Sequence, residues 1–254
     1  MARGTLMATA SAQLIRFRPE WRVPQDQSII ITIDGPAGTG KSTIARLLAH
    51  RLGLDFLDTG AMYRAAAAIC IDHQIDPDDV EKLCEVVADA DLHFDWQTDP
   101  PAMLAWLKPI DSRIRDADVT ALVSRIAAIG KLREHMVRKQ RIIAAQHPRL
   151  VAEGRDQGSI VFPDADVKFY LDASPRIRAH RRAEQLRAEG AAVEDERILE
   201  EIIRRDTMDA SRQDGPLICP DDAIVIDSSN LEIPEVIAAM ETVVRERVQA
   251  LRMG

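Results

Sequence analysis

The stretch Gly35-Pro36-Ala37-Gly38-Thr39-Gly40-Lys41-Ser42-Thr43 fits the phosphate-binding pattern G-x-x-x-x-G-K-[ST]. Before it, Ser28-Ile29-Ile30-Ile31-Thr32-Ile33 is a β-branched run of strand length. After it, residues 43–52 carry helical spacing and stop at Gly53. Strand, glycine turn and helix in that order are the context in which the pattern has physical meaning. The glycines let successive backbone N–H groups point into one concavity, and the start of the helix adds partial positive charge, so a polyphosphate is held there. Residues 35–43 form the expected cradle for a nucleoside triphosphate, with Lys41 reaching the β and γ phosphates and the Ser42 hydroxyl taking one Mg²⁺ position.

Outward from the cradle the chain alternates strands and helices. Short apolar runs at 29–33, 54–57, 150–152, 167–171 and 223–226 read as buried parallel strands. Helical patterns at 61–71, 79–88, 119–129, 132–145, 175–188, 194–208 and 234–252 connect and follow them. The expected fold is therefore α/β, a doubly wound parallel five-stranded sheet with helices on both faces. Two segments break the alternation. Residues 92–96 and 102–107 read as two strands joined by the turn Thr98-Asp99-Pro100-Pro101, a small antiparallel insertion. Residues 176–190 make an arginine-dense helix without a strong apolar stripe, capped by Ser174 and Pro175 and stopped by Gly190. A helix with no buried face suits a mobile lid, although charge runs are also ordinary solvated faces.

Composition narrows the function. The chain has 254 residues, 46% hydrophobic and 29% charged, enough for one α/β core with an excursion or two. No apolar run approaches the ~20 residues of a membrane span. Three separated cysteines with no C-x-x-C pair fit reduced thiols in a cytosolic setting. The formal charge of −8 argues against a nucleic-acid polymer as partner, but not against a small anion gripped by a local arginine cluster. Residues 1–28 contain four arginines, few acids and no periodic apolar face; they are expected to be a disordered extension outside the fold, with no part in the chemistry.

Further segments put anion-binding side chains at strand ends, where open α/β sheets bind ligands. In Asp58-Thr59-Gly60-Ala61-Met62-Tyr63-Arg64 a strand passes into a helix that carries Tyr63 and Arg64. In Glu153-Gly154-Arg155-Asp156-Gln157-Gly158 a strand ends at a carboxylate and Arg155 projects from the loop. Arg205, Asp209 and Arg212 share one helix face, and Ser124 and Arg133 lie on a helical pair interrupted by Gly130.

Four motifs in order, residues 33–42, residues 57–64, residues 153–158 running into Val161-Phe162-Pro163-Asp164-Ala165, and residues 205–212 followed by Pro216-Leu217, resemble those of the bacterial-type cytidylate kinases, P-loop nucleoside monophosphate kinases, and the likeness runs from Ile29 to about Ala250. The resemblance implies transfer of the γ-phosphoryl group of MgATP to CMP or dCMP. It implies that Thr59, Ser124, Arg133 and Asp156 contact cytosine and that Tyr63 lines the acceptor pocket. Arg64, Arg155 and Arg205 would clamp the acceptor phosphate, with Asp209 and Arg212 at the sugar. Lys41, Arg155 and Arg205 are the expected catalytic groups. The domain would span 29–254, with a nucleotide-binding insertion at about 62–148 and a lid at about 174–200, from which Arg178, Arg181 and Arg182 close over ATP. The partners implied are small nucleotides, with no membrane, and a cytoplasmic monomer is expected. The chain departs from the family at Glu153, where aspartate is more usual. Only Ser42 is assigned to magnesium, with Asp34 the nearest other aspartate.

The chemistry suits these residue types independently. Phosphoryl transfer is mostly positioning and charge stabilisation, and the arginine fork holds phosphate oxygens at two points. The acceptor phosphate needs no general base, in keeping with the absence of a Ser/His/Asp arrangement around the six histidines. Asp156 can accept from the cytosine amino group, while Arg133 and Ser124 donate to the ring acceptors. Three bland readings stand beside these: Arg155 and Asp156 as a surface ion pair, Tyr63 and Met208 as core, and Asp209 as a helix partner of Arg205. Two other functions stay open on the residues, a P-loop kinase of UMP, AMP, shikimate or dephospho-coenzyme A, and a non-catalytic nucleotide switch.

Overall fold

The computed structural model describes residues 21–188 and 190–253. Strand β1 (Ile29–Asp34) leads through the glycine loop into helix α1 (Lys41–Leu52), then β2 (Asp55–Asp58) and α2 (Thr59–Asp72). The insertion follows, with α3 (Val80–Asp89), β3 (His93–Asp95), β4 (Ala102–Ala105), β5 (Lys108–Pro109), α4 (Ala117–Ile126) and α5 (Gly130–Gln146). The chain returns to the core through β6 (Arg149–Glu153) and β7 (Val167–Asp172), crosses helices α6 (Pro175–Ala188) and α7 (Asp195–Ser211), and ends with β8 (Ile224–Asp227) and α8 (Ile233–Met253).

Among the described residues one parallel sheet has the order β2-β6-β1-β7-β8. Strand parity sorts its side chains onto two cores. Ile29, Ile31 and Ile33 of β1 join Val151 of β6 and the buried faces of α1 and α8. Leu150 and Ala152 of β6 join α2, α3, α4 and α5 on the opposite face. Burial on both faces is why these strands read as continuous apolar runs rather than alternating ones. The expected five-stranded sheet with helices on both faces is present.

Three expectations are corrected. Residues 1–20 lie outside the described residues, but 21–28 do not stand apart from the fold. Val23 is 1% exposed inside the α1/α8 core, and its N–H donates to Leu52 O at 3.0 Å. The Arg149 guanidinium donates to the carbonyls of Val23, Pro24, Gln27 and Gly53, fastening this segment to the start of β6. The insertion sheet holds β3-β4-β5 rather than two strands. Trp106 and Leu107 leave the strand and form a two-residue turn, both at positive φ, 47° and 63°. Finally, α6 does have a buried face. It is made of the small residues Ala179 and Ala183, packed on Ile198 and Ile202 of α7, so its stripe is narrow.

Candidate active site

The loop between β1 and α1 opens with Gly35 at φ 147°, in van der Waals contact with β7. A Cβ there would stand 2.0 Å from the Leu171 carbonyl oxygen, so only glycine lets the loop start here. Gly40 caps α1 in the left-handed region without a side-chain cap, which leaves the first N–H groups of the helix for an anion. Lys41 curls over the loop, donating to Pro36 O at 2.6 Å and approaching Thr39 Oγ1 at 3.4 Å. Burial, followed by the charge of Arg155, pushes its ammonium down to about 7. The loop is braced from behind by α6 and α7. Ala37 O accepts from Arg178, Ala37 N donates to Asp206, and Arg178 and Asp206 form an ion pair at 2.6 Å.

Ser42 Oγ donates to Glu153 Oε1 at 2.6 Å. Asp58 adjoins that carboxylate and caps α2 through Ala61 N; burial, then the charge of Glu153, raises it to about 7. A hydroxyl beside carboxylates at the mouth of the loop is a hard-oxygen donor set that fits Mg²⁺. Asp34, the alternative aspartate, points elsewhere. Its two oxygens accept from Gln157 N and Gly158 N.

Opposite the loop lies an open cleft. All ten residues expected to touch the acceptor line it: Thr59, Tyr63, Arg64, Ser124, Arg133, Arg155, Asp156, Arg205, Asp209 and Arg212. They come from α2, α4, α5, the loop after β6, and α7 with its C-cap, so only the folded chain brings them together. Three guanidinium groups share one end. Arg155 pairs with Asp209 at 3.0 Å, and Arg64 donates to Ile114 O and Thr120 Oγ1. Arg205 is lowered to about 10 by burial and then by Arg155, and its Nε is buried without a partner. Concentrated positive charge with an unused donor is the ground state expected of a phosphate site.

The other end is built around the buried ion pair of Arg133 and Asp156. Arg133 also donates to Ala127 O and lies over the Tyr63 ring, 5.5 Å from its centroid. Arg155 and Asp156 are thus not partners of each other on a surface, and Asp209 pairs with Arg155 rather than Arg205. Tyr63 is both core and cleft wall, its buried hydroxyl beside Gln140 and raised to about 12, chiefly by burial. Met208, read as core, is 39% exposed. Thr59 is anchored through its hydroxyl to Glu153 O at 2.7 Å.

The three arginines of α6 expected to act as a lid separate. Arg178 is 3% exposed and held by Ala173 O, Ala37 O and Asp206, so it supports the cradle instead of projecting from a solvated helix face. Arg181 donates to Ser228 O at 2.7 Å. Arg182 bonds Gln185; Arg64 is lowered first by burial, then by the charge of Arg155 and, less, of Arg182. Sequence reasoning missed Asp206 and Gly215. Gly215, at φ 58°, sits so close to Arg133 that a Cβ would meet its Nη2 at 2.1 Å. The Gly215-Pro216 pair after α7 was the available signal.

Two anion sites facing each other across one end of a parallel sheet are arranged for a phosphoryl group to pass between them, which is the plan of a P-loop phosphotransferase. The family model described as cytidylate kinase matches residues 31–246, and the chain belongs to that family. The cytidylate kinase of Methylococcus capsulatus (strain ATCC 33009 / NCIMB 11132 / Bath) is 42% identical over 221 residues, covering 87% of this chain and 99% of that protein. That of Aeromonas salmonicida (strain A449) is 41% identical over 211 residues, covering 83% and 91%. A crystal structure of an uncharacterized protein from Eubacterium ventriosum ATCC 27560 is similar with a TM-score of 0.50 at 13% identity, covering 87% of this chain and 99% of that one. At that identity it bears on the fold alone.

Proposed function

We propose that this protein transfers the γ-phosphoryl group of ATP to CMP or dCMP, giving ADP and CDP or dCDP. The observation that carries the assignment is the buried Arg133–Asp156 pair at the far end of a cleft whose near end is lined by Arg64, Arg155 and Arg205. Such a cleft takes a ligand with a phosphate at one end and a base of mixed donors and acceptors at the other.

ATP binds with its phosphates in the loop of residues 35–43, where backbone N–H groups and Lys41 neutralise charge. Ser42, with Glu153 beside it, would hold magnesium, which would supply charge neutralisation to the donor phosphates. The acceptor phosphate is the nucleophile. Arg64, Arg155 and Arg205 orient it toward the loop and screen the repulsion between two anions, which a solvated pair of nucleotides must overcome unaided. Arg178 keeps the donor loop in shape, while Arg181 and Arg182 line the lid side and exclude water when it closes. At the base, Asp156 accepts from the cytosine amino group and Arg133 and Ser124 donate to the ring. Both sites are built from this chain's own residues, which supports action as a monomer. Among the described residues no helix is long and apolar enough to cross a membrane, and a cytoplasmic setting fits.

Steady-state kinetics with CMP, dCMP, UMP and AMP test the reading. CMP and dCMP should exceed the others in kcat/KM by about 10² to 10⁵, because the wrong base leaves buried polar groups unpaired. Asp156→Ala should narrow the CMP to UMP ratio; an unchanged ratio would remove Asp156 from base recognition. A Lys41→Ala protein as active as wild type would support a nucleotide switch instead.

A further inference from the structure

Asp34 is the last residue of β1, 1% exposed, and none of the steps above uses its side chain. Parity explains its direction. Ile29, Ile31 and Ile33 face α1 and α8, so Asp34 faces the opposite side, toward the loop after β6. There its two oxygens accept from the backbone N–H groups of Gln157 at 2.9 Å and Gly158 at 2.7 Å. Those amides open the single turn Gln157–Val161, and opening amides have no partner within their own turn. Immediately before them stand Arg155 and Asp156, whose side chains line the cleft. The turn is also held from behind, where buried Gln157 donates through Nε2 to Gln140 Oε1 on α5 at 3.2 Å. On its other side Asp34 is bonded to Gly35, whose close approach to Leu171 leaves no room for a Cβ.

We propose that Asp34 is a positioning residue for acceptor recognition: its carboxylate ties the Arg155-Asp156 loop to the root of the phosphate cradle, holding donor and acceptor sites in one register. The identity of the acceptor rests on the kinase reading above; the tie itself does not. The carboxylate is required because both of its partners are donors; burial raises this group to about 7, so the comparison below is made near pH 8, where it is ionised. In Asp34→Asn the shape is kept, but the amide nitrogen faces an N–H, and one bond is replaced by a clash of donors.

The experiment compares wild type and Asp34→Asn for KM of CMP and of ATP, for kcat, and for the CMP to UMP ratio of kcat/KM. The expected result is a rise in CMP KM of about ten- to a hundred-fold with a narrowed CMP to UMP ratio, and ATP KM within about twofold. Wild type that phosphorylates no CMP defeats the kinase reading. Wild type active on CMP, with a variant whose CMP KM and base ratio are unchanged, overturns the role of Asp34. A variant that does not fold, or that loses ATP and CMP affinity together, makes Asp34 a general fold residue and equally overturns it. Amide hydrogen exchange on nucleotide-free wild type needs no variant. Slow exchange at Gln157 and Gly158 is expected, and rates of an open loop would overturn the tie.

Discussion

Arg205 gains little from the ligand-free protein that holds it. Burial and the neighbouring Arg155 both disfavour its charge, and its Nε has no acceptor. Such a residue stabilises a ligand rather than the fold. Replacing it with Met, which keeps most of the stem, should leave Tm unchanged or raise it. CMP KM should rise about ten- to a hundred-fold, the equivalent of a charged hydrogen bond of about 1.5–3 kcal/mol. A fall in Tm with unaltered CMP KM would count against the phosphate assignment. The arginines of this site were legible in the sequence because each follows a strand end or occupies a helical spacing. Asp34, Asp206 and Gly215 were not, because they act on backbone groups far away in sequence, Gln157 N, Ala37 N and the surroundings of Arg133, and only the fold creates those contacts.

At the scale of elements, two departures from the sequence reading can be tested. The β4–β5 turn places Trp106 and Leu107 in the left-handed region, which costs a non-glycine residue about 1–2 kcal/mol. Trp106 is compensated by its indole bond to Asp89 and its ring contact with His73, whereas Leu107 is 77% exposed. Leu107→Gly should therefore stabilise the protein by about 0.5–1 kcal/mol in urea unfolding and leave the kinetics alone. No turn signal such as Asn-Gly marks the site, and so the strand was drawn too long. In α6, a stripe of two alanines is too weak for periodicity to detect, and Arg178 reads as one more charge in a run. Its three partners give it a different weight. Arg178→Ala should cost about 2 kcal/mol by leaving Asp206 and the Ala37 carbonyl without their cation. ATP KM should rise more than CMP KM, since the bond lost is to the donor loop. Equal effects on both would place Arg178 in the general fold.

Over the whole molecule, the alternation of strands and helices was readable because both sheet faces are buried. The order of the strands was not, because pairing between β1, β6 and β7 depends on packing across distant segments. What the completed fold adds is electrostatic. It buries Asp34 and Asp58, each raised to about 7, in the same region as Lys41, lowered to about 7. Between about pH 4 and 7 the folded protein keeps carboxyl protons that the unfolded chain has released, so these acids make stability fall as pH rises. Between about pH 7 and 10 the unfolded chain holds a proton on Lys41 that the folded protein lacks, so stability rises again. Nucleotide binding should reverse the lysine effect. A polyphosphate beside Lys41 favours its charged form, and near pH 8 that form must be made by taking a proton from the buffer. Calorimetry of ATP binding near pH 8, in buffers of different ionisation enthalpy, should therefore show uptake approaching about one proton per site, shrinking as the pH falls below about 6.5. Lys41→Met should abolish most of it. Heats independent of buffer near pH 8 would mean that Lys41 is already charged in the free protein, and that the cradle holds its cation ready rather than acquiring it with the substrate.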